Sequence, residues 1–403
     1  MLLIQFCLGD TLKLFKQVAR AGLKMDFLEE KHYMSLFEER EQRIASAIAF
    51  EPVDMIPVVY GSSAFSATAC DVALGDFVAN MELNCTCHIK TSELCGFDGV
   101  QSRTLSPYVL PGMWLSKVKV PGEELSNNEL WQVIESELVT QEDYEAILDG
   151  DFENWLNSFI LEKLGNPGQH LKDFFAYGPT AKKRFDEAQI PCIKGGVLVD
   201  PFEMFCGGRS LATFFVEDLM EIPETVEAVF EKVHAYNMAK YERQFSSPAK
   251  PNGVWVGGWR GTPGMLSKEW FMKYSWKYKR DLINLCLDYD VLPILHLDSS
   301  WDNNLDVIKE FPAKRCLVAL DGATDIKHAK EVLGDHSCIM GDVPARLLAY
   351  GSAQENYDYV TNLLKIMGPT GFIICSGCDV PFNAKLENVQ MMAKARDDYF
   401  KKS

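Results

Sequence analysis

The sequence predicts a (β/α)8 barrel of the TIM type with an N-terminal helical extension. Between residues 291 and 381, four short apolar runs alternate with stretches of helical character: Pro293-Ile-Leu-His-Leu-Asp298, Cys316-Leu-Val-Ala-Leu-Asp321, Ser337-Cys-Ile-Met-Gly341 and Phe372-Ile-Ile-Cys375. Runs of this length bounded by turn signals read as strands buried on both faces, and their alternation with helices reads as βα units of a parallel sheet. Counting strands near residues 57, 98, 197, 254, 293, 316, 337 and 372 gives eight, the number that closes such a barrel. Residues 1–37 then form the extension and 38–403 the barrel.

The totals fit. With 403 residues, of which 47% are hydrophobic and 24% charged, the chain can bury a large core. A net charge of −17 disfavours nucleic acid and anionic membranes as partners. No apolar run is long enough to span a bilayer, and the N-terminal Met1-Leu-Leu-Ile-Gln-Phe-Cys7 lacks the basic flank of a signal peptide, so a cytoplasmic protein is expected. The 12 cysteines are scattered, as reduced thiols are rather than a disulfide framework.

In chain order, residues 1–30 read as a helix carrying Leu12, Leu14, Phe15 and Val18, a candidate interface for a homodimer. Glu38 to Ile48 is a second helix, and Glu51-Pro-Val-Asp-Met-Ile-Pro-Val-Val-Tyr60 turns into the first wall strand. Cys85-Thr-Cys-His88 has metal-ligand residue types but lies in a helical pattern, where small apolar cysteines pack well. Trp114 to Gly122 alternates and ends in Pro-Gly, reading as a hairpin beside the barrel; residues 130–190 read as mostly helical. Ile193 to Val199 and Val254 to Gly258 are wall strands, the latter opening into Trp259-Arg-Gly-Thr-Pro-Gly264. That loop lacks the lysine and spacing of a phosphate loop. Arg260 at its start either holds a carboxylate or phenolate or pins the loop. Ser267, Thr324 or Asp325, and Ser352 with Glu355 are helix-capping signals.

The chemistry gathers at the strand ends. Residues two apart on a strand share a face, so His296 and Asp298 point into the barrel mouth if Leu295 and Leu297 face the helices. Cys338 lies 40 residues after Asp298, and Cys378 a further 40 on, each at or beyond the end of another strand. Thiolate, imidazole and carboxylate in a tetrahedral set suit zinc. Asp321 is either a fourth ligand or a carboxylate that orients His296. Cys375-Ser-Gly-Cys378 also has the spacing of a redox dithiol, but it does not open a helix.

From Glu38 onward the chain resembles the uroporphyrinogen decarboxylase superfamily, and within it the cobamide-dependent methyltransferase branch. The resemblance rests on Arg43-Ile-Ala-Ser-Ala-Ile-Ala-Phe-Glu-Pro-Val-Asp-Met-Ile-Pro57, Gly96-Phe-Asp-Gly-Val100, Asp200-Pro-Phe-Glu203, Leu295-His-Leu-Asp298, Gly341-Asp-Val-Pro344 and Gly371-Phe-Ile-Ile-Cys-Ser-Gly-Cys-Asp-Val-Pro381. Family decarboxylases carry an arginine-rich segment after the first strand that grips the acidic porphyrin. Tyr60-Gly-Ser-Ser-Ala-Phe-Ser66 stands there instead, so the resemblance disfavours decarboxylation. Family methyltransferases show His-x-Cys at the fifth strand and Gly-Cys before the last helix as zinc ligands. This chain keeps His296 and Cys378, has Asp298 for the first Cys and adds Cys338. The pattern looks like that of the methyltransferase components of anaerobic aryl methyl ether O-demethylases, and leaves His296 as either ligand or support.

The resemblance therefore implies methyl transfer from a phenyl methyl ether to a corrinoid (cobalamin) carried by a partner protein, with Zn2+ at Asp298, Cys338, Cys378 and His296. Asp321 and His296 would be catalytic, and Trp259, Arg260, Phe65 and Trp301 would hold a small flat aromatic substrate. The alternative reverses the flow, with methylcobamide donating to a thiol such as coenzyme M or to a folate.

Overall fold

The computed structural model of the chain describes residues 34–401 apart from 166, so the helix expected within residues 1–30 lies outside the described residues. Ten strands occur among these: β1 (Val59–Tyr60), β2 (Gly99–Val100), β3 (Lys117–Lys119), β4 (Gln132–Ile134), β5 (Val197–Leu198), β6 (Gly253–Gly258), β7 (Leu292–Leu297), β8 (Leu317–Leu320), β9 (Cys338–Val343) and β10 (Phe372–Ser376). β5 to β10 form one parallel sheet in sequence order, and β1 pairs with β2 in parallel. Bridges from Val58 to Ile374 and from Val100 to Cys192 join the two pieces, closing a ring of eight strands. All eight counted strands are in it. β3 and β4 form the antiparallel ribbon outside the wall.

The wall is short of ladder on one side and long on the other. β1, β2 and β5 are two residues each, whereas β6, β7 and β9 have six, because turn-forming residues crowd the early strands. Side-chain alternation sets what fills the ring. Val59, Ile193, Ile294, Leu317, Ala319, Cys338, Met340, Ile373 and Cys375 pack together inside it, joined by Ile44 and Ala47 of the helix Leu36–Ala49. That helix plugs the end where the strands begin. Leu295, Leu297, Val318 and Leu320, one position out of phase, join the larger apolar layer between strands and helices.

The helical signals are realised locally. Thr140 and Ser352 make reciprocal capping boxes with Asp143 and Glu355. Asp325 accepts from the Lys327 amide, and Ser267 from that of Trp270. Residues 141–149, 152–163 and 168–187 are helical, as expected for that stretch. No helix among the described residues is long and apolar enough to cross a membrane.

Candidate metal centre

The end of the barrel where the strands finish carries the chemistry. With Leu295 and Leu297 buried against helices, Ile294 and His296 turn inward, and Asp298 follows on the same side just past β7. His296 Nε2 stands 3.3 Å from Asp298 Oδ1. Cys378 reaches the same point from the turn after β10, and the ligand atoms of His296, Asp298 and Cys378 lie within 4.8 Å of one another. Nitrogen and oxygen ligands at about 2.0 Å from one tetrahedral zinc stand about 3.3 Å apart. The spacing of the nitrogen and oxygen therefore fits a single metal ion of that kind, with the Cys378 sulfur within reach.

Electrostatics agree. Burial alone would lower the pKa of His296, but hydrogen bonds to Asp298 and Cys378 and the charges of both outweigh it, raising it to about 10. A proton on the imidazole thus takes the place that a cation would hold between carboxylate and sulfur, and metal binding must displace it. The Trp301 indole N–H donates to the Asp298 carbonyl at 3.1 Å, fixing the chain at that ligand.

Four of the expected site residues are placed differently. Cys338 opens β9 rather than ending it, is fully buried in the barrel interior, and is absent from the cluster. Its thiol is pushed up by burial, the state of a packed core cysteine. Asp321 does not bond His296: its two oxygens accept the amides of Ser299 at 2.9 Å and Ala323 at 2.7 Å, so it ties adjacent mouth loops. Phe65 lies 1% exposed in the outer core, and Trp301 packs edge-on against Phe271 and Trp276, so neither presents a face to substrate.

Trp259 is open, with its ring stacked on Trp114 at 4.4 Å and the Arg260 guanidinium over it at 4.5 Å. Arg260 is nearly buried and one of its terminal nitrogens has no partner. Beneath this loop, Glu203 accepts the amides of Arg260 at 3.0 Å and Gly261 at 2.7 Å, while Lys279 bridges Asp200 and the Gly261 carbonyl, each at 3.0 Å. Cys85, Cys87 and His88 are buried in the helix Met81–Cys95, His88 bonds to the Asn84 carbonyl, and burial lowers its pKa to about 4.

The sequence reading missed three residues at the mouth. Trp255 sits inward on β6 with its ring 5.6 Å from that of His296; its alternation with Val254 and Val256 was the available signal. Gln101 donates to Cys375 Sγ at 3.5 Å. Asp379, next to Cys378, is reached by solvent yet ringed by protein. Burial raises its pKa against the opposing pull of Lys194 and His296.

A (β/α)8 barrel with imidazole, carboxylate and thiol gathered at the strand ends defines the class of protein. Residues 196–399, just over half the chain, match the uroporphyrinogen decarboxylase (URO-D) family, and the chain belongs to that family. A uroporphyrinogen decarboxylase from Nautilia profundicola is 26% identical over 104 residues, which span 25% of this chain and 30% of that protein. A solved methyltransferase from Methanosarcina mazei superposes with a TM-score of 0.63 at 16% identity, covering 90% of this chain and 99% of that one. That likeness is one of fold.

Proposed function

We propose that the protein is a zinc-dependent methyltransferase of the cobamide-dependent branch, moving a methyl group from a phenyl methyl ether to the cobalt(I) of a separate corrinoid protein. The observation that carries this reading is the convergence of His296, Asp298 and Cys378 at the barrel mouth. Bound there, zinc would supply Lewis acidity, withdrawing charge from the ether oxygen so that a phenolate can leave. Carboxylate and imidazole beside a single thiolate leave more positive charge on such an ion than an all-thiolate set, which suits an oxygen leaving group.

The chain's own residues supply the rest. Trp301 holds the Asp298 backbone and Asp321 ties the Ser299 loop beside it, so the carboxylate ligand is presented from a fixed turn. Trp255 offers an indole beside His296, against which a flat aromatic can lie. The segment after β1 supports methyl transfer over porphyrin decarboxylation. Tyr60 hydroxyl bonds Ser66 at 2.9 Å and Ser63 donates to the Val380 carbonyl at 2.7 Å, so neutral hydroxyls stand where a polyacid would need arginines.

The alternative, methyl delivery to a thiol or folate acceptor, would favour a second thiolate at position 298. Incubating the zinc-loaded enzyme with reduced corrinoid protein and a panel of aryl ethers and thiols tests the assignment. Methylcobamide formed from an ether supports it, and demethylation of methylcobamide by thiols alone replaces it with the alternative.

A further inference from the structure

The loop that leaves β6 lies beside the turn that carries Asp298. In the register of β6 with β7, Gly258 pairs with Leu297, so Trp259 and Arg260 emerge level with Asp298 and Ser299. The two loops touch. The hydroxyls of Ser299 and Thr262 bond at 2.9 Å, and a Cβ on Gly264 would lie 2.6 Å from Ser299 Oγ.

The main chain at Arg260 is held, but its side chain is not. Glu203 accepts the Arg260 and Gly261 amides, and Ser275 and Lys279 donate to the Gly261 carbonyl at 2.7 and 3.0 Å. The guanidinium, by contrast, makes no hydrogen bond or ion pair among the described residues, although Arg260 is only 9% exposed and one terminal nitrogen is shut off from solvent. The buried carboxylates beneath the loop are engaged elsewhere: Lys279 stands 3.0 Å from Asp200, and Glu203 uses one oxygen on the two amides. Burial raises the Glu203 pKa to about 7 against the pull of Lys279, so near neutral pH this carboxyl sets only part of a charge against Arg260.

The guanidinium rests instead on the Trp259 ring, 4.5 Å from its centroid, and that ring stacks on Trp114 at 4.4 Å. Trp259 is 40% exposed, so this shelf opens to solvent beside the Asp298 turn. A cation–π contact offsets only part of what desolvating a guanidinium costs, and a carboxylate arriving there offsets more. The planar fork of arginine matches one carboxylate through two parallel hydrogen bonds.

We propose that Arg260, held on Trp259, receives a carboxylate on the substrate, which makes that substrate an aromatic acid with its ether oxygen toward His296, Asp298 and Cys378. That the reacting group is an ether rests on the reading above; the anion contact does not.

The test is calorimetric titration of the zinc-loaded protein with 3-methoxybenzoate, the neutral 3-methoxybenzamide, and 3-methylbenzoate, which has no ether to cleave, in wild type, Arg260→Gln and Arg260→Lys. Wild type should bind 3-methoxybenzoate roughly 10- to 100-fold more tightly than the amide, the range of charge-assisted hydrogen bonds. Arg260→Gln should lose most of that preference at an unchanged melting temperature, because the guanidinium has no partner within the described chain. Arg260→Lys, which keeps the charge without the fork, should retain part of the preference, and it takes the place of the glutamine variant should that one misfold. Equal affinity of wild type for acid and amide overturns the subsite without recourse to any variant. So does a preference left unchanged in both variants, which would put the carboxylate on the metal. If 3-methylbenzoate binds through Arg260 while no aryl ether is turned over, the subsite stands and the ether-cleaving assignment falls.

Discussion

Gly377 packs against the main chain of Asp321 so closely that a Cβ on it would lie 2.4 Å from the Asp321 carbonyl oxygen. Its amide also donates to the Val343 carbonyl at 2.9 Å. The turn that delivers Cys378 is thus pressed between the ends of β8 and β9, and only glycine fits there. Gly377→Ala must push the turn outward and carry Cys378 away from His296 and Asp298. We expect zinc affinity, measured by competition with a chromogenic chelator, to fall at least tenfold, as it does when the support of a ligand is lost. A variant that binds zinc as wild type does would show that Cys378 is not held by this contact.

The two cysteines spaced evenly along the last strands should behave differently. Cys378→Ser removes a member of the ligand cluster, and the purified protein should retain well under half the zinc of wild type by atomic emission. Cys338→Ala should keep its zinc and instead lose about 1 kcal/mol of stability to chemical denaturation, because it trims a fully buried side chain inside the barrel. Loss of metal in Cys338→Ala with stability unchanged would reverse the assignment.

That contrast marks where the sequence stops being legible. Eight strands could be counted because each is a short apolar run between turn residues, and the inward aim of His296 followed from Leu295 and Leu297 on either side. Cys338 misled because equal spacing along the chain is not equal height in the barrel: it begins β9, whereas Cys378 follows β10. Phe65 and Trp301 misled because an aromatic near a strand end looks alike whether it faces the mouth or the helices. Only packing separates them.

At the opposite end of the barrel, Asp98 accepts from the Val58 amide at 2.8 Å and pairs with both Arg43 and Arg396, all three side chains being almost buried. It thereby ties the plugging helix, β1 and the last helix (Leu386–Lys401) together. Asp98→Ala would leave two guanidinium groups facing each other with an unsatisfied amide. Removing one partner from a buried charge network typically costs about 3–5 kcal/mol. We expect that loss in urea denaturation, with no change in the zinc content of the folded fraction; a cost below about 1 kcal/mol would mean that solvent replaces the carboxylate.

Asp342 gives the protein a pH dependence that owes nothing to the metal ligands. Its carboxylate is buried and accepts from the Tyr359 hydroxyl at 2.8 Å. Burial raises its pKa to about 6, with the Tyr359 hydrogen bond opposing and Asp321 and Asp325 adding to the rise. A carboxyl whose folded pKa lies above its unfolded value of 3.8 binds a proton more readily when folded, so its contribution is complete below about pH 4 and is lost as pH climbs through 6. Asp342→Asn stays neutral throughout and its side-chain oxygen can still accept from Tyr359. The variant should therefore match wild type near pH 4 and exceed it near pH 7 by on the order of 1–3 kcal/mol. Melting temperatures of the two proteins across that range decide the matter: parallel curves would mean that Asp342 titrates alike in the folded and unfolded states.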